Sequence, residues 1–143
     1  MIDETDKRII EALSEDSRES FRKLARKVRV SPATVIQRVK RMEKEGVIRG
    51  YSAVLDFEKL GFDFEAVIEV TIRKGALLEV QEKIAQMPGV ASVFDVTGES
   101  DSLVVARCRS RKEFSRLVKK ILSIQDVERT NTHVILNVVK DKY

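Results

Sequence analysis

The spacing of the apolar residues changes at Gly46, and this change divides the chain into a helical part and a part built on strands. All six glycines lie at or beyond this position. Before it, apolar residues recur three or four positions apart, which is the period of an amphipathic helix. After it, apolar and polar residues mostly alternate, as in strands with one buried face. The sequence therefore predicts two small domains, residues 1–60 and 61–143, with a boundary near Leu60 and Gly61.

The first 45 residues predict three helices. Asp3 can cap the first helix, with Asp6 at its third position. A second, short helix follows, and Ser31 with Pro32 begins the third, because serine is a good N-cap and proline a good first helical residue. Gly46 is placed to end the third helix. The predicted buried positions of the three helices are Ile9, Ile10 and Leu13, then Phe21, Leu24, Ala25 and Val28, then Val35, Ile36, Val39 and Met42.

The rest of the chain predicts strands and helices in the order βαββαβ. Residues 47–55 alternate and predict a connecting strand, whose pairing partner is either the second domain or a neighbouring chain. The following strands are predicted at residues 64–73, 90–97, 102–109 and 129–140, and the helices at 76–87 and 111–124. Core packing is expected for Phe62, Phe64, Phe94 and Phe114. The fold class is α+β, a three-helix helix-turn-helix domain followed by a ferredoxin-like domain with both helices on one face of the sheet.

The composition argues against several functional classes. The longest stretch without a charge is the eleven residues 84–94, short of the ~20 that a membrane helix requires, and the acidic start Met1–Asp6 is unlike a signal peptide. We therefore expect a cytoplasmic protein. The single cysteine, Cys108, and the single histidine, His133, leave no metal cluster, and no nucleotide-binding or acyl-transfer motif is present. Neither a catalytic site nor a cofactor or metal is expected.

Positive charge is concentrated in one segment of the helical part. The whole chain carries a formal charge of +4. Residues 1–17 contain two basic and six acidic residues, a balance of −4, whereas residues 18–49 contain eleven basic and three acidic residues, a balance of +8. Such a block is typical of a phosphate-binding surface, although a solvated helical face produces the same pattern.

The third helix has the residue types that reading of the DNA major groove requires. With Val35, Val39 and Met42 facing inward, its opposite side carries glutamine, arginine, alanine and threonine. Glutamine can bind adenine, arginine can bind guanine, and alanine or a threonine methyl can contact thymine. The predicted base-contacting residues are Ala33, Thr34, Gln37, Arg38 and, at the edge of the contact, Arg41. The predicted phosphate contacts are Arg22, Lys23, Ser31, Lys40, Lys44 and Arg49.

Several runs of the sequence together match a known family. They are Ile2–Asp6, Ile9–Ile10, Leu13, Arg18, Leu24–Ala25, Val30–Val35, Arg38–Ile48 and Gly50–Tyr51. With these runs the chain resembles the Lrp/AsnC family, the feast/famine regulators of bacteria and archaea. The similarity covers nearly the whole chain and implies a sequence-specific DNA-binding transcription regulator whose assembly or DNA affinity is tuned by an amino acid or related metabolite. Arg29 departs from the family, which often has glycine in this turn, and would be strained if its φ were positive.

The resemblance also gives a role to the segment between the second and third strands of the second domain. By itself, the run from Gly98 to Asp101 is typical of a hairpin turn. In the family the matching loop lines an effector site between neighbouring subunits, which implies that Gly98, Asp101, Thr130 and Thr132 bind an amino acid. A carboxylate can bind its ammonium group, and backbone N–H groups can bind its carboxylate. The implied partners are double-stranded DNA, the amino acid and further copies of the chain, as a homodimer that assembles to a tetramer or octamer.

Two alternative functions remain at this point. Siroheme decarboxylases share the two-domain architecture, but such an enzyme is expected to need several histidines, and this chain has one. The second alternative is an architectural protein that coats DNA with little sequence preference.

Overall fold

The computed structural model describes residues 1–141, which form two compact units. The first is Met1–Ala53, and the second begins at Val54, earlier than the boundary expected near Leu60. The connecting residues group with the second unit because their side chains pack there. The ring of Phe57 meets that of Phe62 edge-on at 6.0 Å, and the guanidinium of Arg107 lies 3.6 Å from the Phe57 ring centre.

The first unit consists of helices α1 (Glu4–Glu15), α2 (Phe21–Val28) and α3 (Pro32–Lys44). The side chains of Asp3, Ser20 and Ser31 each accept a hydrogen bond from the backbone N–H three residues on, which confirms the predicted starts of α1 and α3. Gly46 adopts a φ of +72°, and the next two backbone N–H groups both bond to the carbonyl of Met42. The predicted end of α3 is therefore also confirmed.

The three helices enclose one apolar core. Its fully buried members are Ile9, Ala12, Leu24, Ala25, Val28, Val35, Val39 and Met42. Ile10 and Leu13 are only partly buried. The prediction was wrong for Phe21 and Ile36, whose side chains are 42% and 36% exposed. Both residues lie at the edge of the apolar arc of their helix, where the side chain turns from the core toward solvent.

The second unit is the predicted ferredoxin-like βαββαβ domain. Its elements are β1 (Phe64–Ile72), α4 (Leu77–Ala85), β2 (Val90–Asp95), β3 (Ser102–Cys108), α5 (Arg111–Leu122) and β4 (Val127–Val134). The sheet order is β2-β3-β1-β4 with antiparallel neighbours. Alternate residues of β1 and β3, among them Ile68 and Val104, pack against Ile84 of α4 and Leu117 of α5 in a single core. Both helices therefore cover the same face of the sheet.

Three predictions about the strands were wrong. Residues 47–55 form no strand, and β4 ends at Val134 instead of continuing to residue 140. Both differences have the same cause, because a strand needs a paired neighbour. No described strand pairs with residues 47–55. The N–H of Ile135 still donates to the carbonyl of Glu65, but β1 begins at Phe64 and, in the register of Ala66 with Val134, reaches no further along the chain than Leu136. Phe94, expected in the core, is 50% exposed because it lies on the uncovered face of the sheet.

Cys108 is buried, and burial raises the pKa of its thiol, which favours the uncharged form.

None of the helices formed within residues 1–141 is long and apolar enough to cross a membrane.

Arg29 lies in the turn between α2 and α3 and is strained. Its φ of +59° places it in the left-handed region, and it is the only residue other than glycine to do so within the described part of the chain. We expect Arg29→Gly to stabilise the first unit by about 0.5–1 kcal/mol, since glycine removes the steric cost but loses more backbone entropy on folding. Urea unfolding followed by circular dichroism measures this change.

Arg8→Gly is the matched control, because Arg8 is an exposed residue in the middle of α1. This substitution should destabilise the unit by about 1 kcal/mol. If Arg29→Gly unfolded at the same or a lower urea concentration than the unchanged protein, the strain at Arg29 would be disproved.

Candidate nucleic-acid interface

One side of α3 presents a row of exposed residues to solvent. Because Val35, Val39 and Met42 are buried and successive residues turn by about 100°, the opposite side of the helix carries Ala33, Gln37, Lys40 and Lys44. All four are exposed. The row combines an amide that can hydrogen-bond a base with two cations that can contact phosphates.

The cations predicted to contact phosphates are free to do so. Arg22, Lys23, Lys40, Lys44 and Arg49 are all exposed. Across residues 1–141, the ion pairs of the structure include none of these five. No ion pair among the described residues therefore neutralises their positive charge.

The two hydroxyl groups at the start of α3 are already engaged. The Ser31 Oγ accepts a hydrogen bond of 3.1 Å from the backbone N–H of Thr34, and the two hydroxyl oxygens are 2.8 Å apart. Thr34 is partly buried. This arrangement holds the first turn of α3.

A further exposed cation was missed in the sequence analysis. Leu24, Ala25 and Val28 face the core, so Arg26 lies on the solvent side of α2 together with Arg22. Arg26 is exposed and has no ion pair among the described residues, whereas its neighbour Lys27 is paired with Glu15 at 3.5 Å and Glu19 at 3.3 Å. Its position opposite the apolar stripe of α2 was the signal that could have identified it.

Arg38 and Arg41 lie on a flank of α3 that faces the start of α1. The Nη1 group of Arg38 donates to the carboxylate of Asp3 and, at 3.2 Å, to Oδ1 of Asp6, while the Nη2 group of Arg41 donates to Oδ2 of Asp6. Asp6 is fully buried, Asp3 is half exposed, and the two arginine side chains are 28% and 35% exposed. We call these four residues the Asp–Arg cluster.

The cluster is charged at neutral pH. Burial alone would raise the pKa of Asp6, but hydrogen bonds from the Asp3 N–H, from Arg41 and from Arg38 outweigh it and hold the pKa below its usual value. The Asp6 N–H and then Arg38 lower the pKa of Asp3 to about 2. The Asp3 carboxylate in turn raises the pKa of Arg38. Two anions thus offset two cations, and the partners are 32–35 residues apart in the chain.

Two of the residues implied in effector binding, Asp101 and Thr130, lie on opposite sides of the same end of β1. Oδ2 of Asp101 accepts a hydrogen bond of 2.8 Å from the backbone N–H of Ile72, and the Asp101 N–H donates to the carbonyl of Val70 at 3.1 Å. On the other side of β1, Thr130 pairs with the same Val70. Asp101 and Thr130 therefore flank the end of β1, about 10 Å apart across two strand spacings.

The other two implied residues lie near them. Thr132 lies two residues beyond Thr130 on β4 and pairs with Ile68. Because Val70 and Ile68 face the helices, both threonines lie on the helix-covered face at the edge of the sheet, where they are partly buried. Gly98 is exposed, with a φ of +121° that favours glycine.

The uncovered face of the sheet has an apolar centre and a polar side. Val67, Leu103 and Val105 are only partly buried there, and Phe94 pairs with Leu103 beside them. At the β4 side, Oε2 of Glu69 lies 2.9 Å from Nε2 of His133 and 2.8 Å from Nδ2 of Asn131. The single histidine thus lies on a sheet face and is hydrogen-bonded to a carboxylate whose pKa it lowers.

The chain matches two family models in succession. Residues 2–43 match the AsnC-type helix-turn-helix domain, and residues 65–143 match the Lrp/AsnC ligand binding domain. Over 142 residues it is 42% identical to an HTH-type transcriptional regulator of Pyrococcus furiosus, with 99% of this chain and 96% of the relative covered.

Solved structures show the same architecture. The transcriptional regulator NMB0573 of Neisseria meningitidis, in complex with L-methionine, is 31% identical, with a TM-score of 0.91 and coverage of 99% of this chain and 94% of that one. AsnC of E. coli is 26% identical, with a TM-score of 0.91 and coverage of 99% and 96%. The chain is therefore a transcriptional regulator of the Lrp/AsnC family, with a helix-turn-helix domain followed by a ligand-binding domain.

Proposed function

We propose that the protein binds specific duplex DNA sites through α3 and that an amino acid or related metabolite tunes its assembly or its DNA affinity. The observation that carries the proposal is the exposed row Ala33, Gln37, Lys40 and Lys44, which lies within a segment of charge +8 and has no ion pair among the described residues. An unpaired basic helix face with a central amide suits the major groove.

The residues of α3 divide into two roles in this proposal. Ala33, Thr34, Gln37 and Arg38 contact bases, and Arg41 contacts the edge of the site. The two arginines do so with N–H groups that the Asp–Arg cluster leaves free, since each guanidinium has five. Phosphates are bound by Arg22, Lys23, Ser31, Lys40, Lys44 and Arg49, and we add Arg26 to this set because it is exposed on the same side of α2 as Arg22.

A pair of alanine substitutions separates base contacts from phosphate contacts. Gln37→Ala should weaken binding to a duplex selected by the unchanged protein by about 1–3 kcal/mol, and should leave binding to random duplex unchanged. Lys44→Ala should weaken binding to both duplexes alike and reduce the slope of log affinity against log salt by about one. Fluorescence anisotropy across a salt series measures both effects.

Lys112→Ala is the matched control, because Lys112 is an exposed cation at the start of α5. It should leave both affinities nearly unchanged. Identical behaviour of the Gln37 and Lys44 variants on the two duplexes would contradict the division of roles and favour an architectural protein that coats DNA.

The effector proposal is supported by the arrangement around the end of β1. The carboxylate of Asp101 binds the ammonium group, backbone N–H groups near Gly98 bind the carboxylate, and Thr130 and Thr132 enclose the ligand. In one chain the loop is open to solvent, so a second subunit completes the site. The solved complex of NMB0573 with L-methionine makes L-methionine the first amino acid to test.

Asp101→Asn tests the effector site without disturbing the sheet. An asparagine oxygen can still accept the hydrogen bond from the Ile72 N–H, but the negative charge is lost. We expect binding of the active amino acid to weaken about tenfold or more, because hydrogen bonds to charged groups contribute about 1.5–3 kcal/mol. Calorimetric titration with L-methionine and a panel of other amino acids measures this. Glu99→Gln, an exposed acid of the same loop, is the control and should bind normally.

We further propose that the protein is a homodimer formed through the uncovered sheet face, which assembles further to a tetramer or octamer. The support is the apolar centre of this face. Val67, Phe94, Leu103 and Val105 lie there, on the side of the sheet opposite to α4 and α5. A two-fold dimer also presents two copies of α3, which suits half-sites about one DNA turn, ~34 Å, apart.

Val105→Glu tests this interface. Val105 lies at the centre of the face, between Val67 of β1 and Ser92 of β2, so a carboxylate there would lose hydration on association without gaining a partner. We expect the variant to be monomeric at micromolar concentration by light scattering. Ser115→Glu, on the exposed side of α5, should keep the native assembly. An unchanged mass for Val105→Glu would place the interface elsewhere.

A further inference from the structure

We propose that Asp3 is an internal competitor of DNA for Arg38, so that the carboxylate of Asp3 lowers the DNA affinity of the free protein and is exchanged for a DNA acceptor on binding. The inference rests on the proposed function of α3. It concerns an acidic residue outside the recognition helix, to which the sequence assigned only the capping of α1.

The two carboxylates of the Asp–Arg cluster differ in their access to solvent. Asp6 is fully buried and contacts both arginines, so it holds the guanidinium groups in place whether or not DNA is bound. Asp3 is 50% exposed and, of the two arginines, pairs only with Arg38. An acceptor on DNA can therefore replace Asp3 while the bond from Arg38 to Asp6 is kept.

The exchange replaces one hydrogen-bond acceptor of Arg38 by another. Arg38 bound to Asp3 donates to an anionic oxygen. A DNA phosphate supplies an anionic oxygen in its place, and guanine supplies two neutral acceptors, O6 and N7. To bind Arg38 fully, DNA must displace the Asp3 carboxylate from it. The same carboxylate also repels the negatively charged DNA backbone. Removing that charge while leaving Arg38 in place should therefore strengthen binding.

Asp3→Asn removes the charge and preserves the helix cap. The Asp3 side chain accepts a hydrogen bond of 2.9 Å from the Asp6 N–H, which an asparagine oxygen can also accept, and the two residues are equally good N-caps. The bond from the Asp3 N–H to Asp6 comes from the backbone and is kept. Thermal unfolding of each variant verifies that the first unit remains folded.

Glu4→Gln is the matched control. It removes one negative charge at the neighbouring position, where the exposed Glu4 side chain pairs with Lys7 at 2.6 Å and does not contact Arg38. Any general effect of net charge on DNA binding appears equally in this variant. The difference between the two variants isolates the contact with Arg38.

The experiment measures the affinity of each variant for a duplex selected by the unchanged protein and for a random duplex of equal length. We expect Asp3→Asn to bind the selected duplex about two- to fivefold more tightly than Glu4→Gln, as expected for loss of a partly exposed ion pair. When Arg38→Ala is added to both variants, the advantage of Asp3→Asn over Glu4→Gln should disappear, because the guanidinium for which Asp3 and DNA compete is no longer present.

The outcomes distinguish this inference from the proposed function. If the unchanged protein prefers its selected duplex and Asp3→Asn binds no more tightly than Glu4→Gln, the inference is overturned and the proposed function stands. Weaker binding by a folded Asp3→Asn would show that Asp3 positions Arg38 and does not compete for it. If the unchanged protein shows no preference for any duplex, the proposed function and this inference fall together.

Discussion

The hydrogen bonds to the buried carboxylate of Asp6 join α1 to α3. A buried charge is unfavourable unless it is paired and hydrogen-bonded. Here two guanidinium groups of α3 and the backbone N–H of Asp3 supply those partners. The apolar core brings the three helices together without directional preference, whereas these bonds have a direction. They therefore hold one flank of α3 against the start of α1. The buried stripe of Val35, Val39 and Met42 leaves the opposite side of α3 to solvent.

This constraint divides the polar residues of α3 into two groups. Residues of the outer row, such as Gln37 and Lys44, are exposed and unpaired among residues 1–141, and they are available to a ligand without any rearrangement. Arg38 and Arg41 are partly buried and already bonded. Helix α3 therefore carries exposed side chains that are ready to bind. It also carries two arginines that are already bonded to carboxylates of α1 and its cap. The first group can contact DNA directly, whereas Arg38 can do so fully only when a DNA acceptor replaces the carboxylate of Asp3.

In the second unit the two faces of the sheet differ. One face is closed by α4 and α5 over a single apolar core. The opposite face has an apolar centre without a helix over it, and the Asp101 loop is open at the end of β1. Both features are incomplete in a single chain, which is why the proposed assembly and the proposed effector site each call for a second copy.

The sequence by itself determined the order and class of the elements, because helix period, strand alternation, caps and glycines are local signals. Ser31 with Pro32, the glycine at 46 and the alternating residues of β1 all lie where these rules place them. The family resemblance marked Arg29 as a departure from glycine that would be strained at a positive φ, and its φ of +59° came from the structure. The exposed base- and phosphate-contacting candidates of α2 and α3 follow from the same periodicity.

Only the tertiary structure decided which charged side chains are engaged and which strands have partners. The Asp–Arg cluster joins residues more than 30 positions apart, and no local pattern distinguishes an arginine that faces a distant carboxylate from one that faces solvent. Apolar and polar residues alternate along residues 47–55 as they do in a strand, but they form no strand. Alternation gives one apolar face that can be buried, whereas a strand also requires backbone hydrogen bonds to a neighbouring strand. Long-range pairing is therefore the part of this protein that its local sequence leaves undetermined.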